Sequence, residues 1–138
     1  MRLTSQADYA LRIINSMAIQ NEKLDTRQIS ERTGVPLRFT IKILRTLKQS
    51  KIVDSIKGAM GGYILSRKAQ QISYLDVIES IDGRVLINKC IDETYCCNNP
   101  ANINNANCEM QEFLFSLNEE IENKLKNKKF GEKEEKKL

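Results

Sequence analysis

Four cysteines, Cys90, Cys96, Cys97 and Cys108, are gathered between positions 90 and 108 of this 138-residue chain, and none precedes them. A chain of this length buries enough surface to fold without covalent staples, so clustered cysteines point to metal, cluster or redox chemistry rather than to structural disulfides. Three thiolates suit the soft iron of an iron–sulfur cluster. The same thiols can also oxidise to a sulfenate or a disulfide, but the adjacent pair Cys96 and Cys97 would need a partner from elsewhere in the loop. Zinc matches less well, because the paired C-x-x-C knuckles of structural zinc sites are missing. The chain has no histidine, which removes Cys-His and Ser-His nucleophiles, and no glycine-rich phosphate loop opens a helix after a strand. An enzyme is therefore not expected.

A second set of residues carries charge. The segment 27–57 holds Arg27, Arg32, Arg38, Lys42, Arg45, Lys48, Lys51 and Lys57 against Glu31 and Asp54 alone, within a chain of net charge +4. Such clustering implies a polyanionic partner. On a helical wheel Arg38, Lys42, Arg45 and Gln49 fall within about 60° of one another, with Leu37, Ile41, Leu44 and Leu47 over much of the opposite side. A basic stripe alone would read as a solvated face. In a major groove, however, long cations bind phosphates or guanine edges and Gln49 can pair with adenine.

These groups need elements to hold them. Apolar residues recur at helical spacing over 5–19, with Ser5 and Asp8 spaced as a capping box. Asp25 and Gln28 form a second box, opening a helix to Thr33 that stops at Gly34, and Pro36 sits at the first position of a helix running to Ser50. A short helix, a glycine-centred turn and a longer basic helix make a helix-turn-helix. The runs 52–56 and 63–65, separated by Lys57-Gly58-Ala59-Met60-Gly61-Gly62, read as a two-stranded wing. Lys57 at its tip can approach a minor groove or a phosphate, with Gly58, Gly61 and Gly62 permitting close backbone approach. Ser73 and Asp76 box a further helix, stapled by Ile72 and Val77 and ended by Gly83.

The asparagine-rich stretch 90–108 reads as a loop. Beyond it Met110, Phe113, Leu114, Leu117, Ile121 and Leu125 form a one-faced stripe on a helix of about 20 residues, roughly 30 Å long. Such a stripe needs a partner, and a long helix added to a complete winged helix favours the same helix of a second subunit. The run 128–138 reads as a charge-rich tail without fixed structure. The expected fold is mainly α with a small β wing: a winged helix-turn-helix over 1–83, a cysteine sensor loop over 84–108, a dimerisation helix over 109–127 and the tail. Composition is that of an ordinary soluble protein, 41% hydrophobic and 29% charged, with no membrane-length apolar run and no secretory signal pattern, so the expected location is the cytoplasm.

The chain resembles the IscR/NsrR (Rrf-two) family of bacterial winged-helix transcription factors from position 1 to about 127. The resemblance is carried by Met1-Arg2-Leu3-Thr4-Ser5, Asp8-Tyr9-Ala10-Leu11-Arg12, Ile29-Ser30-Glu31-Arg32, Lys57-Gly58-Ala59-Met60-Gly61-Gly62-Tyr63, and Asp76-Val77-Ile78 leading to a cysteine loop. It implies a homodimer joined by the helix after the loop, a palindromic double-stranded DNA operator, and an iron–sulfur cluster, [2Fe–2S] or [4Fe–4S], that tunes DNA affinity. The implied DNA-contacting set is Arg2, Thr4, Arg38, Phe39, Lys42, Arg45, Gln49, Lys57, Gly58 and Gly61. The implied cluster ligands are Cys90, Cys96 and Cys108, with Cys97 alternative to Cys96 or Cys108. The IscR-type histidine three residues after the last cysteine is replaced here by Gln111, whereas the NsrR-type fourth ligand corresponds to Asp8. A cluster-free thiol regulator is the alternative, and a small iron–sulfur electron- or cluster-transfer protein is the rival from another class.

Overall fold

Thr4 caps the first helix, α1 (Ser5–Gln20), its Oγ1 accepting the Ala7 N–H at 3.1 Å. Sequence spacing favoured Ser5 as the cap with Asp8 closing the box. The helix instead begins one residue earlier, so Ser5 lies inside it and Asp8 pairs with Arg12, one turn on, at 2.9 Å. The computed structural model describes residues 2–99 and 108–131.

Helix α2 (Thr26–Thr33) is boxed as expected: Asp25 Oδ1 accepts the Gln28 N–H at 2.8 Å and Gln28 Oε1 accepts the Asp25 N–H at 3.0 Å. Gly34, at φ +73°, turns the chain out of it. Helix α3 (Leu37–Gln49) follows, with Pro36 at the N-cap rather than the first helical position. Its inner face is Thr40, Ile43, Leu44 and Leu47. Leu37, assigned to the core on the wheel, lies at the edge of that face and is 38% exposed. Thr40 can occupy the interior because its hydroxyl donates to the carbonyls of Val35 and Pro36, which removes the cost of burying it.

Strands β1 (Val53–Ile56) and β2 (Gly62–Leu65) pair antiparallel in a register running from Val53 opposite Leu65 to Ile56 opposite Gly62. Leu24, just before α2, exchanges two backbone hydrogen bonds with Tyr63, at 3.1 and 2.8 Å, and anchors the hairpin to the helix-turn-helix. Helix α4 (Tyr74–Asp82) opens on the Ser73–Asp76 box, and the staple residues Ile72 and Val77 are fully buried. One core joins Ile13, Ile14 and Met17 of α1 to Ile29, Leu44, Leu47, Val53 and Val77.

The long helix α5 (Glu109–Asn127) lies against α4. The chain beyond it departs from the expected tail. Lys129 bridges Ser73, the Tyr74 N–H donates to Lys128 O at 3.0 Å, and Phe130, 1% exposed, stacks on Tyr74 with ring centroids 4.5 Å apart. A lone aromatic in a charge-rich run has enough apolar surface to hold the backbone down. Residues 128–131 are therefore fixed on the winged domain, while 132–138 lie outside the described residues, as do 100–107 of the cysteine loop.

Candidate DNA interface and cysteine loop

Arg38, Lys42, Arg45 and Gln49 are all exposed along one side of α3, opposite the buried Ile43, Leu44 and Leu47. None of the three cations is ion-paired among the described residues, so their charge is available to an anion. Phe39 is half-buried. Its ring packs on Tyr9 of α1 at 5.9 Å and carries the Arg38 guanidinium 4.9 Å from its centroid. Lys48 Nζ donates to Ser55 Oγ at 2.7 Å, tying the basic helix to β1.

The wing tip is held by its own backbone. Gly58 has φ +109°, a conformation that L side chains rarely adopt. A Cβ on Gly61 would come within 2.3 Å of the Ile56 carbonyl oxygen. These glycines thus meet demands of the hairpin itself, whereas Lys57 stands exposed beside them. Arg2 and Thr4 lie at the junction of α1 and α4. Thr4 Oγ1 donates to Asp82 Oδ1 at 2.6 Å, and Arg2 lines a cavity of about 280 Å³ with Asp82, Arg84, Ile121 and Leu125.

One residue, Gln111, touches both Cys90 and Cys108. Gln111 donates its side-chain amide to Cys90 O at 2.7 Å and its backbone N–H to Cys108 Sγ at 3.5 Å, Cys108 being the N-cap of α5. Asn88 Nδ2 also donates to Cys90 Sγ at 3.1 Å. Both cysteines are partly buried, while Cys96 and Cys97 are exposed, and the four form no disulfide. Asp92 closes a local turn by accepting from the Thr94 N–H and hydroxyl, which hold its carboxyl below the usual range. Among the described residues no three cysteine or carboxylate side chains converge on a metal-sized site. Asp8 is committed to Arg12 on α1.

One residue in this region escaped sequence reasoning. Asn118, 2% exposed within α5, accepts the Ile87 N–H at 2.9 Å and donates to Val85 O and Glu122 Oε1, both at 3.0 Å. Arg84 lies 3.6 Å from the same Glu122 oxygen. The available signal was an uncharged polar residue between Leu117 and Ile121 of the apolar stripe. Much of that stripe is exposed: Met110 57%, Phe113 66% and Leu117 37%. No helix among the described residues is long and apolar enough to cross a membrane.

A short helix, a glycine turn, a helix with a free cationic face and an anchored hairpin define a winged helix-turn-helix protein. The family model for Rrf2, described as an iron-dependent transcriptional regulator, matches residues 3–132, and the chain belongs to that family. It is 33% identical over 98 residues to the HTH-type transcriptional regulator IscR of Cronobacter sakazakii, a match covering 70% of this chain and 60% of the relative. The chain thus spans about three-fifths of that relative's length. Two solved structures share the fold. T. potens IscR superposes with a TM-score of 0.72 at 18% identity, covering 94% of this chain and 82% of that one. CymR (YrzC), the global cysteine regulator of B. subtilis, gives 0.73 at 18%, covering 94% and 92%. These relatives are regulators, not enzymes.

Proposed function

We propose that the chain is a cytoplasmic, homodimeric, sequence-specific transcriptional regulator that reads a palindromic operator and adjusts its affinity through the cysteine loop. The observation that carries the DNA reading is the exposed, unpaired row Arg38, Lys42 and Arg45 on the second helix of the motif, backed by Lys57 on the wing. Phosphate contacts from these cations supply affinity and its salt dependence, while contacts from the same helix to base edges supply selectivity. The exposed side chains of α5 supply an apolar seam for a second copy, which would set two reading helices at the spacing of two half-sites.

The sensor reading rests on Gln111, which holds the Cys90 backbone at the start of α5, where Cys108 is the N-cap. With Cys96 or Cys97 these cysteines would supply a donor set suited to iron–sulfur chemistry, and the family model's description is iron-dependent. Such a cluster would supply a redox-active group that oxygen, nitric oxide or iron shortage can remove. The fourth ligand would be Asp8 of a second copy, released from Arg12, or the other cysteine of the doublet. The chain's own part is mechanical: α5 links Cys90 through Gln111, the approach to the loop through Asn118, and the winged domain through Phe130.

The exposure of Cys96 and Cys97 favours a second reading, in which oxidation of a thiol replaces the cluster. Strictly anaerobic purification with iron and acid-labile sulfide analysis separates the two, and duplex selection from a random library tests the DNA reading. Iron and sulfide bound in wild type and lost in Cys90→Ala support the cluster. Their absence after reconstitution leaves the thiol switch, and failure to enrich any duplex removes the regulator reading altogether.

A further inference from the structure

Met60 is the most exposed of the large apolar side chains among the described residues, at 80%. A thioether and its methylenes held in water at the end of a hairpin would gain by burial against a partner surface. The surroundings of Met60 limit what that surface can be. The Lys23 ammonium donates to the Met60 backbone carbonyl, and Lys57, exposed on the same hairpin, lies three residues earlier in the chain, so the wing end carries cations as well as an apolar side chain.

The backbone of the tip is tied down. The Gly61 N–H donates to Gly58 O at 3.0 Å, the space for a Gly61 Cβ is filled by backbone, and Leu24 clamps Tyr63 from the other side. Little backbone freedom remains to be lost when the tip is buried. An apolar side chain on a wing end that carries cations fits a groove whose rim is phosphate and whose floor is sugar and base edges. The strand that leads to the tip, β1, is tied to α3 by the Lys48–Ser55 hydrogen bond.

We propose that Met60 is a specificity-determining DNA contact, a wedge that enters the minor groove beside the half-site read by α3 and senses how readily one base step there opens. The proposal rests on the DNA reading above and adds a deformability term to it. It predicts selectivity at a position that no polar side chain of the wing contacts.

The test uses the full chain and duplexes that the wild type enriches from a random library, with 2-aminopurine at each step flanking the half-site. Met60→Ala should weaken binding about tenfold, the loss expected when one methionine side chain is no longer buried, with the slope of log K against log salt unchanged because no counterion release is lost. The wild type should raise 2-aminopurine fluorescence at one step, Met60→Ala should not, and Met60→Leu should restore both affinity and signal. Lys57→Ala, by contrast, should reduce the salt slope. Binding by Met60→Ala within twofold of wild type with the same fluorescence signal overturns the wedge while leaving the DNA reading intact. Enrichment of no duplex by the wild type overturns both.

Discussion

The side-chain amide of Gln111 hydrogen-bonds the backbone carbonyl of Cys90 at 2.7 Å, across the cysteine loop. Gln111 occupies the place where the IscR-type pattern has a histidine. It reaches the first cysteine through neutral amide chemistry, which ties the backbone at Cys90 to the first turn of α5. Gln111→Ala should therefore leave the fold standing, at a cost of about 0.5–1.5 kcal/mol for one hydrogen bond, while uncoupling loop from DNA. Operator titrations before and after cluster removal or thiol oxidation should show the wild-type difference, on the order of 5–150-fold for ordinary coupling, shrinking towards none in the variant. An undiminished difference would place the route elsewhere.

The unpaired cations of α3 predict a distinct signature for each kind of contact. Lys42→Ala should weaken binding to selected and random duplexes alike and lower the salt slope by about one, as expected for a lost phosphate contact. If Arg45 reads a guanine edge, Arg45→Ala should cost about 1–3 kcal/mol on the selected duplex and relax preference at one position. Anisotropy titrations at several salt concentrations measure both effects, and equal affinity of wild type and both variants would show that α3 does not face the duplex.

Legibility from sequence followed how local each determinant is. The boxes Asp25–Gln28 and Ser73–Asp76, the stop at Gly34 and the hairpin around Gly58 depend on residues a few positions apart, and each stands where spacing put it. The cap of α1 shifted because Thr4 and Ser5 are chemically equivalent caps, and Thr4 alone gains a second bond, to Asp82 in the distant α4. Phe130, Asn118 and the Gln111–Cys90 contact are tertiary: no periodicity marks a single aromatic or amide whose partners lie far away in the chain. The candidate DNA face was visible because amphipathicity is periodic. The grouping of the cysteines was visible as composition, but their mutual geometry was not.

Two carboxylates of α4 predict opposite pH behaviour. Burial pushes Asp76 upward, but the N–H and hydroxyl of Ser73, with Arg67 and Lys129, outweigh it and hold the carboxyl below 3.8. Its contribution to stability is then present above the unfolded value and lost as pH falls through the folded one. Asp76→Asn should lower stability at neutral pH and flatten the acid limb of a denaturation profile. Glu79 is shifted the other way, first by burial and then by Glu122 and Asp76, with Arg84 opposing. Its contribution is fully present below the ordinary value of 4.5 and lost as pH rises through the folded value, so Glu79→Gln should stabilise the protein at pH 7. Urea midpoints across pH 3–7 check both signs.

Asn118 is fastened at both ends of its amide, which makes its substitutions informative. Asn118→Leu keeps apolar bulk but leaves the Ile87 N–H and Val85 carbonyl without that partner, each costing about 1–3 kcal/mol if it stays dry. Asn118→Asp preserves acceptance from Ile87 but sets a carboxylate against Glu122. It should therefore be worse than Leu at neutral pH and recover as pH falls. Hydrogen exchange at the Ile87 amide, slow in wild type, should accelerate in Asn118→Leu; unchanged protection would mean that another group holds the loop entrance.

Phe130 offers the strongest separation between a tail and a structural anchor. If the chain beyond α5 were only a solvated run of charges, Phe130→Ala would leave the unfolding midpoint where it was. Because the ring is buried and stacked on Tyr74, next to the box that opens α4, its loss should cost about 3–5 kcal/mol, the usual range for emptying an aromatic site in a core. The cost should appear in urea unfolding monitored by far-UV circular dichroism. Functionally the variant should resemble Gln111→Ala for a different reason: α5 would still follow the cysteine loop at its start but would no longer be fixed to the winged domain at its end. Phe130→Leu, which keeps apolar volume but not the ring stack, should recover most of the stability and, with it, the dependence of operator affinity on the state of the loop.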